Sequence, residues 1–239
     1  MASPAFIAAG AELEVNSGSG AYTGNVAVPA GVADGDFLLL VVRNTRADAT
    51  IATPSGWTSI TAHEKTSISH SDLRLFRRDA ASEPSTYTIS NDGAGNGVNA
   101  FSAQILAWGP ATLETSATWE STSTNTTVAC PAVTSGGADR TLVCVYGQYG
   151  NVQGSISYTP PSGMTERTDQ NFVDSVGNNT SFSVADLAIS ASGSTGTKNA
   201  TASDGSPWHL AVSLLLQGTA GGGGSSTGAP THRALLGMF

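Results

Sequence analysis

One set of short motifs occurs twice along the chain, in the same order and at nearly constant spacing. The first copy holds VPAGVADGDFLLLVVRN (Val28–Asn44), TPSGWTSI (Thr53–Ile60), LRLFRRDA and STYTISNDGAGNGVNAFSAQILAWGPA (Ser85–Ala111). The second holds CPAVTSGGADRTLVCVYGQ (Cys130–Gln148), TPPSGMTERT (Thr159–Thr168), FSVADLAIS and GTKNATASDGSPWHLAVSLLLQG (Gly196–Gly218). Pro29 aligns with Pro131, Ser55 with Ser162 and Gly109 with Gly218, so the offset stays between 102 and 109 residues. Agreement of order and spacing points to an internal duplication. With two copies only, a stacked solenoid is excluded.

Each copy reads as strands. DFLLLVV and RTLVCVY are short apolar runs bounded by Gly and Asp, the pattern of a strand buried on both faces. STYTIS alternates as a half-exposed strand does. NAFSAQILAW and WHLAVSLLL are long enough for helices, but Gly and Asn precede them, Gly follows them, and neither opens with a capping box. Both are therefore read as strands. The two Pro-Ser-Gly elements supply turns, with Trp57 and Met164 re-entering the sheet as core plugs. The joining stretch Pro110–Pro131 reads as further strand material with Trp119 inside it, not as a linker. The expectation is an all-β, antiparallel, jelly-roll-like β-sandwich over residues 1–218, with repeats at about 22–111 and 124–218. Two tandem sandwiches are the alternative arrangement. A Gly/Ser linker (219–228) and a C-terminal segment (229–239) follow.

Charge narrows the partners. The formal net charge is −8 and lysine occurs only at Lys65 and Lys198, which argues against a phosphate-binding footprint. Arg74, Arg77 and Arg78 form one basic cluster, flanked by Asp72 and Asp79, and read as a solvated strand face or ion-pair group. No apolar run approaches the roughly 20 residues of a membrane-spanning helix. The start MASPAFIAAGAELEV lacks the basic and apolar regions of a secretory signal, so synthesis in a cytoplasm without export is expected. Cys130 and Cys144 fall on neighbouring predicted strands, where a bridge is geometrically possible but reduced, buried thiols are expected in that compartment.

Catalytic signatures are missing at the level of motif. No Gly-x-Ser-x-Gly turn sits between a predicted strand and a helix, as a nucleophile elbow requires, and His63-Glu64 begins a zinc-protease motif that Ser67 breaks. NDGAGNG (Asn91–Gly97) lacks the Lys and Ser/Thr of a phosphate loop and reads as a hairpin connection. Glu12, Glu14, Glu114 and Glu120 read as surface charges. No enzyme activity and no cofactor or metal is expected. The one candidate ligand surface is aromatic: Tyr146 and Tyr149 in VYGQYGN, read as loop-exposed, together with Trp57, on which a sugar could stack.

VPAGVADGDFLLLVVRN, PSGWTSI, RRDAASEPSTYTIS and AQILAWGP resemble β-sandwich proteins of tailed-bacteriophage virions, and GAPTHRALLGMF is similar to the short apolar ends of such proteins. The resemblance spans essentially the whole chain and its motifs are structural. It implies a capsid decoration (cement) protein located in the virion and assembled in the host bacterial cytoplasm. A tail or fibre component recognising host glycans is the alternative. The implied partners are the major capsid protein or neighbouring virion subunits, in a homo-oligomer such as a trimer, with no nucleic acid and no membrane. In that setting the Gly/Ser tether would let Leu235, Leu236, Met238 and Phe239 bury apolar area in a neighbour while Arg233 fixes register.

Overall fold

The computed structural model describes residues 1–17, 21–44, 50–64, 72–92, 99–121, 123–150, 155–173, 179–206 and 208–219. Every regular element among them is a β-strand, and the antiparallel sheets pack together as a β-sandwich architecture. The first half contributes β1 (Phe6–Ala9), β2 (Leu13–Ser17), β3 (Tyr22–Ala27), β4 (Asp36–Asn44), β5 (Thr58–Glu64), β6 (Asp72–Asp79) and β7 (Thr86–Asn91). A long strand, β8 (Asn99–Glu120), joins the halves. The second half contributes β9 (Asn125–Cys130), β10 (Thr134–Ser135), β11 (Arg140–Gly150), β12 (Tyr158–Thr159) and β13 (Thr165–Val173). It ends with β14 (Asn179–Ile189), β15 (Gly193–Ser194), β16 (Lys198–Ser206) and β17 (His209–Gly218).

Pairing follows the same order in both halves. In the first, β5, β6, β4 and the opening of β8 lie side by side, with β1 and β2 on the far side of β8. In the second, β13, β14, β11 and β17 lie side by side, with the end of β8 on the far side of β17. Each half adds a smaller sheet, β3–β7 in the first and β12–β16–β9 in the second. Among the described strands only β8 pairs in both halves, so the interleaving expected of a single jelly roll has no counterpart in these pairings. The predicted strands NAFSAQILAW, WHLAVSLLL and STYTIS are all strands, and the joining stretch is strand from Ala111 to Glu120 and from Asn125 to Cys130.

Alternation along the central strands builds three cores. On β4, Leu38, Leu40 and Val42 face Val26 and Ile89 of the small sheet, while Phe37, Leu39 and Val41 face the other half. On β11, Leu142, Cys144 and Tyr146 face Val128 and Ala200, while Val143 and Val145 join Phe37 and its neighbours. The two large sheets are thus packed against each other, which is why DFLLLVV and TLVCVY are apolar without a break. Both Pro-Ser-Gly turns close identically. Trp57 N donates to Pro54 O and Met164 N to Pro161 O, each at 3.1 Å, with Gly56 and Gly163 at φ 80° and 85°. A type II turn requires that positive φ, and glycine adopts it without the Cβ clash.

Candidate functional site

The aromatic residues expected to form a ligand platform are in the core. Tyr146 is fully buried, Tyr149 is 4% exposed and Trp57 is 6% exposed. The reading of VYGQYG as a loop is corrected by β11, which continues through Gly150 and pairs along its length with β14. Tyr146 donates its hydroxyl to the Lys198 carbonyl at 3.2 Å, and Tyr149 lies 5.2 Å from the Trp208 ring. Trp57 meets Tyr87 edge-on at 5.2 Å, plugging the sandwich as its turn position suggested. None of the three offers the exposed ring face that sugar stacking needs.

The basic cluster resolves into ion pairs on and beside β6. Arg74 Nε sits 2.6 Å from Asp72 Oδ2 and Arg78 Nε 2.8 Å from Glu83 Oε1. Glu83 also accepts from the Tyr87 hydroxyl and from Ala81 N. His63 and His70 lie outside the described side chains. Among the described residues no group of three or more His, Cys, Asp or Glu side chains could hold a metal ion.

Two features escaped the sequence reading. Arg43, at the end of the apolar run of β4, is fully buried between the halves. It fits because residue 147 is glycine: a Cβ there would lie 3.3 Å from Arg43 Nε and 3.5 Å from its Cδ. Burial lowers its pKa to about 10, against the opposing fields of Tyr158, Asp72 and Tyr149. Its signal was a charge at a position where the strand's alternation calls for an inward side chain. The second feature is Asp186, 5% exposed. It accepts from Trp108 Nε1 at 2.8 Å and from Arg167 Nε at 2.9 Å. The Arg167 guanidinium also lies 4.7 Å from the Phe6 ring centre, and Phe6 meets Trp108 edge-on at 5.3 Å. β1, β8, β13 and β14 are fastened together at this point.

The end of β17 is fastened beside the N-terminal residues. Gly218 N donates to Asp139 O at 2.9 Å and Thr219 N to Pro110 O at 3.0 Å. A Cβ at Gly218 would fall 2.3 Å from Ala2 O, so only glycine fits there. Thr141 Oγ1 donates to Pro4 O and Gly109 N to Ala5 O, both at 2.8 Å. Residues 1–5, Gly109–Pro110 and Thr219 line an open groove of about 430 Å³. The docking residues expected from the sequence, Arg233, Leu235, Leu236, Met238 and Phe239, lie outside the described residues.

No family model, curated protein or solved structure matches the chain. Fold and site define an all-β sandwich protein with buried charged side chains at Arg43 and Asp186, whose last described residues, Gly218 and Thr219, are fastened beside its N-terminal segment.

Proposed function

We propose that the chain is a non-enzymatic structural protein of a tailed-bacteriophage virion, a decoration or cement protein attached to the capsid through its C-terminal segment. The observation that carries this reading is the fastening of Gly218 and Thr219 to Asp139 and Pro110. Residues 220–239 start from a point held by two backbone hydrogen bonds. A tether from a rigid origin delivers its end to a neighbour at high effective concentration. The shared pairing order of the two halves supports the duplication read from the motifs, which would give the body its size and stiffness without adding chemistry. Burial of Tyr146, Tyr149 and Trp57 removes the surface on which the glycan-binding alternative rested.

The test is compositional. Mass spectrometry of purified particles of the virus whose genome encodes the chain should find it at a fixed ratio to the major capsid protein. Its presence in infected cells but not in particles would end the proposal.

A further inference from the structure

Cys130 ends β9 in the small sheet of the second half, and Cys144 sits mid-way along β11 in the facing large sheet. Both are fully buried free thiols in one core cluster with Tyr146, Met164 and Leu215. Their closeness follows from two independent contacts. Cys130 Sγ lies 3.1 Å from Ser213 Oγ, and Ser213 is the residue directly opposite Cys144 in the β11–β17 ladder. Directly opposed residues have Cβ atoms about 5 Å apart on the same face. Ser213 donates its own hydroxyl proton to Pro131 O, leaving a lone pair for the Cys130 thiol.

We propose that Cys130 and Cys144 are a latent disulfide joining the two sheets of the second half, open in a reducing compartment and closed by a disulfide oxidant outside it. The inference does not depend on the virion reading. In the closing step one thiol loses its proton and attacks the oxidant, such as glutathione disulfide, whose S–S bond breaks and releases one glutathione thiol. The second cysteine, as thiolate, then attacks the mixed disulfide and releases the second glutathione. One S–S bond forms between the cysteines, one breaks in the oxidant, and two electrons and two protons pass to two glutathione molecules. Burial pushes the Cys130 thiol up, so little thiolate exists while the core is closed. Closure therefore happens while the second half is open, during folding or refolding, and the finished bridge staples the stretch Pro131–Val143.

The experiment refolds the full chain from urea in excess oxidised glutathione, with a parallel sample in dithiothreitol. The proposal expects an intact mass lower by about 2 Da, a Cys130–Cys144 cross-linked peptide, and a melting temperature raised by about 5 °C that dithiothreitol reverses. The Cys144→Ala variant should melt at one temperature in both buffers. Glutathione adducts on either cysteine as the end state, disulfide-linked dimers, two free thiols, or a bridged protein that melts lower would each overturn it. The comparison of oxidised with reduced wild type stands even where the variant fails to fold.

Discussion

Trp108 Nε1 donates to Asp186 Oδ2 at 2.8 Å, joining β8, the long strand shared by the two halves, to β14 of the second half. The same carboxylate receives Arg167, so one buried acid holds two donors from different strands. Asp186→Ala strands both donors and should cost about 3 kcal/mol, read as a shift of the urea midpoint at constant slope. Asp186→Asn keeps one acceptor and should cost roughly half as much. Equal losses for the two variants would mean that the carboxylate's charge, not its hydrogen bonding to Trp108, carries the contact.

Gly147 leaves the space that Arg43 occupies. Gly147→Ala obliges Arg43 to give by a few tenths of an ångström and should cost about 1 kcal/mol, whereas Gly147→Leu overpacks the site and should cost about 3 kcal/mol or prevent folding. Denaturant titration of the two variants checks the ranking. A Leu variant as stable as wild type would contradict the close approach of β4 to β11.

Glu12 gives the protein a pH dependence. Burial first, and the neighbouring Glu14 second, raise its carboxyl to about 7. A group whose pKa rises on folding contributes stability fully below its unfolded value near 4.5, and loses it as pH climbs through the folded value. Asp169, raised by burial first and by Glu166 after it to about 6, acts in the same direction over a lower window. Melting temperature should therefore fall between pH 5 and pH 8. Glu12→Gln should flatten the upper part of that fall, gaining about 1 kcal/mol at pH 8 once solvent screening of a half-exposed group is allowed for. A profile unchanged by the substitution would place the titration elsewhere.

The sequence offers Trp57 two roles, core plug at its turn and sugar platform; its burial and its edge contact with Tyr87 favour the first. Trp57→Ala should cost about 3 kcal/mol. Isothermal titration with capsular or cell-wall oligosaccharides should show no heat that depends on this residue.

Strand identity could be read from the chain because its causes are local. DFLLLVV and TLVCVY carry no polar break, the Pro-Ser-Gly turns fix φ at two ends, and the Gly-bounded runs around Ile105 and Val212 lack helix caps. The roles of Tyr146 and Tyr149 could not be read, because Gly147 within VYGQYG signals a loop as readily as a strand that must admit a buried arginine. Asp186 and Arg167 stand nineteen positions apart, and Trp108 stands a further seventy-eight from Asp186, so their meeting is a property of sheet packing and leaves no local pattern. The groove beside Thr219 is likewise assembled from three distant segments.

The proposed attachment to a particle rests on residues 220–239. Removing residues 220–239 takes away none of the described strands and keeps both partners of the Thr219 to Pro110 hydrogen bond. Co-sedimentation of the truncated and full-length proteins with particles stripped of the chain measures the claim directly. The account predicts an unchanged melting temperature and loss of particle binding by at least a hundredfold, about 2.7 kcal/mol. Truncated protein that binds particles as tightly as the full chain would contradict it.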